Sequence, residues 1–88
     1  MTLDEFRKWI GSTEAEYKYQ LLSRMKSDCL YFLGFGNGKS RLWGETINEH
    51  LDFMKTLYSM IIEKPEWLTE EEMEEFKNRM IEIAKRSV

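Results

Sequence analysis

Apolar residues recur every three to four positions through most of this chain. Four times that rhythm begins just after the same signature, a threonine followed three residues later by a glutamate: Thr2/Glu5, Thr13/Glu16, Thr46/Glu49 and Thr69/Glu72. In such a pair the hydroxyl accepts from the third amide of a helix, while the carboxylate accepts from the cap amide, so each one predicts a helix start. The longest predicted helix is Thr13–Leu33. At about 100° per residue, Ala15, Tyr17, Leu21, Leu22, Met25, Cys29, Phe32 and Leu33 share an arc of about 160°. Tyr19, Ser23, Ser27, Leu30 and Tyr31 fall outside it, and Gly34 is placed to end the helix in the left-handed conformation.

The other three starts give a short helix and two longer ones. From Thr2 to Ile10, Leu3, Phe6 and Ile10 share one face. About nine residues cannot hold a helix alone, so this one must dock on the rest; Gly11-Ser12 breaks it. From Thr46 to Ile62, Ile47, Leu51, Met54, Tyr58, Ile61 and Ile62 align, and Phe53, Leu57 and Met60 widen the arc to about 200°. A helix that greasy is either wrapped by neighbours or leaves a face for a partner, a second copy included. Pro65 stops it, and Leu68 with Met73 makes a hydrophobic staple around the Thr69 cap. Beyond the cap, Met73, Phe76, Met80, Ile83 and Ala84 form the inward stripe. Glu70, Glu71, Glu72, Glu74 and Glu75 crowd the positive end of that helix dipole, with Lys85 and Arg86 at the negative end. The pattern specifies an all-α fold: one domain over 1–88, a small irregular bundle of three main helices plus a short N-terminal helix, with one Gly-rich loop.

That loop, Gly34–Glu45, is the irregular stretch. Asn37-Gly38 favours a tight turn that would set Phe35 against Arg41 in a small hairpin, although a plain loop is the simpler reading. Leu42 and Trp43 follow it and are expected to fold back over the helix ends as a plug. The run GFGNGKS looks like a phosphate loop but fails on spacing, because Leu33 stands where the first glycine is required. It fails on context too, since a helix precedes it instead of a strand.

Composition narrows the function classes. With 88 residues, 42% hydrophobic and 14% aromatic, the chain can build a core. A single cysteine excludes an internal disulfide framework, and no stretch approaches a signal-peptide core or a membrane span. This points to a cytoplasmic protein. The net charge of −3 is uneven: the acidic residues concentrate after Glu45, and the half before it is slightly basic. An acidic total argues against indiscriminate nucleic-acid binding.

The residues that could carry chemistry do not form a constellation. Asp28 and Cys29 are adjacent, so their side chains diverge by about 100° around the helix. Neither CxxC nor HExxH spacing occurs. Cys29 reads as a small buried hydrophobe and His50, inside the apolar arc of its helix, as a neutral core imidazole. Asp28, Trp43 and His50 read together as a polar lock tying the loop to two helices. No catalytic, cofactor-binding or metal-binding residue is assigned. Three tryptophans and several aromatics off the main stripe point instead to contact, with Leu30, Tyr31, Phe35, Arg41 and Trp43 as the candidate partner-binding residues. The simpler alternative is that Trp9, Trp43 and Trp67 cover a small core.

At Leu21-Leu-Ser-Arg-Met-Lys-Ser-Asp-Cys29, Tyr31-Phe-Leu-Gly34, Leu42-Trp43, His50, Met54, Leu57-Tyr58 and Lys64-Pro-Glu-Trp-Leu-Thr69, through to Met80, the chain resembles the eleventh large polyvalent protein-associated domain family. The resemblance covers roughly 21–80. It implies a setting in phages and other bacterial mobile elements, where such domains are often one module of a very long chain. It brings no established catalytic activity and therefore no functional residues. On this reading the chain is expected to be a free-standing copy with an extra N-terminal helix. Leu30, apolar on the solvent side, is expected to mark a contact peculiar to this protein.

Two main functional readings follow, neither enzymatic; a third, an enzyme, would need a cleft that gathers Asp28, Cys29 and His50. The first is a protein-interaction module of a phage or mobile element, acting on a protein partner, for example a host defence factor. The alternative is a nucleic-acid-associated accessory factor using Lys18, Arg24, Lys26, Lys39 and Arg41.

Overall fold

Three of the four threonine caps start helices as their spacing predicts. The computed structural model describes residues 2–35, 42–43 and 46–86, with Phe35 placed by its backbone. It contains α1 (Leu3–Gly11), α2 (Ala15–Phe35), α3 (Ile47–Met60) and α4 (Glu70–Arg86), and no strand among those residues. Thr2 and Glu5 form the complete reciprocal box, at 3.2 Å in each direction. These bonds hold the Glu5 carboxyl below its usual range. Thr46 accepts from the Glu49 amide and Thr69 from the Glu72 amide, each at 3.1 Å.

Thr13 does something else. Its hydroxyl donates to the Ile10 carbonyl at 2.6 Å, and the Ser12 hydroxyl donates to the Trp9 carbonyl at 2.7 Å. The last turn of α1 has carbonyls without helical partners, and the two-residue break leaves these hydroxyls within their reach. Thr13 therefore finishes α1, and α2 begins at Ala15.

The far end of α2 also departs from expectation. The helix continues through Gly34 to Phe35, so Gly34 is a helical residue and not a left-handed stop. A Cβ at Gly34 would meet nothing within 4 Å. Gly34→Ala is accordingly expected to raise stability by about 0.5 kcal/mol, through helix propensity and a less flexible unfolded chain. A higher urea midpoint with an unchanged slope is the signature.

α3 is the axis of the fold, because α1, α2 and α4 all pack on it. Its broad apolar arc, including Leu51, Phe53, Met54, Leu57 and Tyr58, is consumed by those neighbours. The open face that sequence alone allowed for self-association is therefore covered within the chain. The helix stops at Met60, short of Ile62, which is 98% exposed instead of joining the stripe. Lys64 explains the early stop: its ammonium donates to the carbonyls of Tyr58 and Ile61 and lies 5.1 Å from the Tyr58 ring. α4 follows the predicted pattern, with Leu68 and Met73 buried around the cap and Phe76 and Met80 buried beyond it. Leu3, expected inside with Phe6 and Ile10, is largely at the surface.

Candidate functional site

The residues after the Gly-rich run fold back as a plug. Leu42 is buried, and Trp43 is half-buried where α1, α2 and α3 meet. The Trp43 ring stacks on Trp9, with centroids 6.1 Å apart and planes 18° from parallel, and meets Phe6 edge-on at 6.0 Å. Phe6 in turn packs against Phe53 of α3 at 4.7 Å, and Trp9 meets Tyr17 of α2 edge-on at 5.8 Å. Offset and edge-to-face pairs of this kind add about 0.5–1.5 kcal/mol each beyond their buried area.

The backbone beneath Trp43 is held by His50. The Trp43 amide donates to His50 Nδ1 at 2.9 Å, and His50 Nε2 lies 3.1 Å from the Met25 carbonyl. An Nδ1 that accepts leaves the proton on Nε2, which donates to Met25, so the imidazole is neutral and fully used. Burial pushes its pKa down, against smaller upward pulls from the Met25 carbonyl and the Asp28 charge. The expected polar lock is thus present in its His50–Trp43 limb, spanning α2, the loop end and α3. Asp28 is buried beside it. Cys29 has no exposed surface; its Sγ lies 3.8 Å from the Met54 sulfur, and burial followed by the Asp28 charge pushes its thiol up to about 12. A thiol held protonated in that way behaves as core. Among the described residues, no three His, Cys, Asp or Glu side chains gather as metal ligands do.

Outside this lock lies a groove of about 240 Å³, lined by Tyr17, Gln20, Leu21, Arg24 and Trp43. Its floor is Leu21, and Tyr17 and Trp43 supply aromatic walls. Arg24 is exposed and, among the described residues, enters no ion pair. Of the five expected contact residues, Trp43 is in this groove. Tyr31 is half-buried and lies seven residues after Arg24, on the same side of α2 and about 10 Å further along the axis. Leu30 is half exposed but sits about 120° around the helix from Arg24, so the two do not share a surface. It lies one turn after Lys26, which donates to the Trp67 carbonyl and sits 5.7 Å from the Trp67 ring. The Phe35 side chain and Arg41, and with them the hairpin across Asn37-Gly38, fall outside the described residues.

Tyr17, expected on the inward stripe, is at the surface, whereas Trp9 is partly buried against the core, as a core cover would be. The legible signal was Tyr17, Arg24 and Tyr31 at seven-residue spacing, which places them on one line along a helix. Two other cations of the basic half are occupied internally: Lys18 donates to the Thr13 carbonyl at 2.6 Å and Lys26 to that of Trp67. Lys39 and Arg41 lie outside the described residues.

Comparison with known proteins places this arrangement. The sequence model for large polyvalent protein-associated domain 11 matches residues 15–80, most of the chain. The chain belongs to this family. No curated protein and no solved structure matches it. The large polyvalent protein-associated domain begins at the first residue of α2 and takes in Tyr17, Gln20, Leu21, Arg24, Trp43 and His50. It starts earlier than the motif run from Leu21 and so adds the Tyr17 end of the groove. α1, with Phe6 and Trp9, lies outside the matched domain yet closes the aromatic cluster behind Trp43. Among the described residues, no helix is long and apolar enough to cross a membrane.

Proposed function

We propose that this domain is a non-enzymatic interaction module of a phage or mobile element, working in the bacterial cytoplasm by seating a protein partner on the Trp43 groove. One observation carries the reading. The buried polar side chain best suited to chemistry, His50, has both ring nitrogens occupied, Nδ1 by the Trp43 amide and Nε2 by the Met25 carbonyl. A polar group spent on positioning an aromatic wall favours recognition over reaction, since rigid half-buried aromatics and arginine are what contact surfaces use as anchors. A host protein, such as a defence factor disabled by being occupied, suits a small domain of this setting.

The nucleic-acid alternative has less support. Binding phosphates needs several available cations, and Lys18 and Lys26 are engaged with backbone carbonyls.

Tyr17→Ala is the discriminating variant, because Tyr17 is at the surface and, among the described ring pairs, meets the cluster at its edge contact to Trp9. Trp43→Ala is a poorer choice, since Trp43 is also a packing residue. With the intact protein as bait in bacterial lysate, a reproducible partner is expected whose recovery falls at least about tenfold with Tyr17→Ala at unchanged helicity. A partner recovered equally by both proteins, or no reproducible partner, would count against the proposal.

A further inference from the structure

The groove also carries information about what it would hold, if it is the contact surface proposed above. Its volume of about 240 Å³ is below the roughly 300–1,000 Å³ of cofactor and drug-sized sites. It suits one large side chain and its immediate neighbour. The walls are of two kinds: Tyr17, Leu21 and Trp43 are apolar or aromatic, and Arg24 brings a positive charge to the rim. Among the described residues the ion pairs are Lys55–Glu74 and Glu82–Arg86. Arg24 belongs to neither and, among the described residues, its side chain makes no hydrogen bond. Asp28, one turn later on α2, is buried, and its charge bears on Cys29 and His50. Gln20 adds a neutral donor and acceptor on the same side.

We infer that the Tyr17–Arg24–Trp43 groove docks an acidic peptide segment of a protein partner, one in which a carboxylate adjoins a large apolar side chain. The apolar side chain lies over Leu21 between the two aromatic rings. The carboxylate takes the guanidinium fork, whose paired N–H groups match a carboxylate's two oxygens. A basic segment would meet Arg24 with like charge, and a neutral one would leave its donors to water. A nucleic-acid strand offers aromatic bases and phosphates to the same walls, but one available arginine gives little purchase on a charged backbone.

Three blocked tripeptides serve as probes: acetyl-Glu-Phe-Glu-amide, acetyl-Gln-Phe-Gln-amide and acetyl-Lys-Phe-Lys-amide. Each is titrated into isotopically labelled full-length protein and into its Arg24→Glu variant, followed by amide and indole shifts, with short oligothymidylate as competitor. The acidic peptide is expected to shift Gln20, Leu21, Arg24 and the Trp43 indole and to bind the native protein about tenfold more tightly than the other two. Arg24→Glu, an exposed substitution expected to keep the native melting curve, should reverse that order in favour of the lysine peptide. Equal binding of all three peptides, no binding of any, shifts away from the groove, or displacement by oligothymidylate would each overturn the inference. Failure here alongside lysate capture that depends on Tyr17 but ignores Arg24→Glu would leave the contact function standing. Success here without any captured protein would remove the contact function and keep the groove's preference.

Discussion

Phe6→Ala is expected to cost about 4 kcal/mol, the range found when a buried phenylalanine is cut to a methyl group. The side chain has no exposed surface and touches Trp9, Trp43 and Phe53, which come from three different segments. A chain of this size has about 5–10 kcal/mol to lose, so the variant should unfold at a far lower urea concentration than the native protein. The result matters beyond stability because α1 lies outside the segment that matches the family. If α1 were an appendage, the loss would be under about 1 kcal/mol and Trp43 fluorescence would be unchanged. The packing requires both a large loss and a more solvated Trp43.

His50→Leu should cost about 2–3 kcal/mol although leucine fills much of the same space. Its cost is polar: the Trp43 amide loses its acceptor, and the Met25 carbonyl loses one of its donors. Leaving such a buried group unpaired carries about 1–3 kcal/mol, and the loosened plug adds to it. A second signature comes from pH. The pKa of His50 is lowered from 6.5 in the folded chain, so the unfolded chain binds that proton more readily. Its stabilising contribution is therefore complete above about pH 6.5, and it is lost as pH falls through the folded value, with a slope of at most about 1.4 kcal/mol per unit. Protonation would also set a second N–H against the Trp43 amide. Denaturant titrations at pH 7.0, 6.0 and 5.0 should show native stability falling while His50→Leu stays nearly flat. Parallel curves would mean that His50 does not hold the loop.

How far the sequence carried the fold can be judged at its boundaries. Wherever a threonine cap had no competitor, at Thr2, Thr46 and Thr69, the helix begins where spacing placed it. Thr13 failed because a second set of acceptors, the end of α1, lay two residues away and took its hydroxyl. That competition depends on the geometry of the link and has no signature in the residue pattern. Ile62 failed for the mirror reason, since helix ends are settled by what satisfies the last carbonyls, and Gly34 simply continues as helix. For α3 that partner is Lys64, two residues past Ile62 and outside any periodic pattern. The interior was easier to read. Cys29 and His50 fell on apolar arcs, and both are buried.

The surface was the hardest part to read. Periodicity sorts residues into inward and outward faces of one helix but does not say which outward residues meet across elements. Trp43 came from its position after the Gly-rich run, whereas Trp9 reaches it only because α1 docks on α3. Leu30 was conspicuous as an apolar residue on a polar face, yet it points to a different side of α2 from the groove. Tyr17 was assigned to the core because it sits at the edge of the apolar arc, and edge residues are where a helix passes from buried to exposed. In the structure it is 37% exposed and serves as a groove wall.

In the proposed reading, this family member works through the surface built on Trp43, with its buried polar groups holding that surface in shape. Hydrogen–deuterium exchange of the protein, alone and bound to a partner recovered by lysate capture, is the deciding measurement. Binding is predicted to slow exchange across residues 17–24 and at Trp43, and to leave the exposed link around Ile62 unchanged. Protection confined to that link or to the acidic start of α4, with the Trp43 groove exchanging as freely as before, would contradict it.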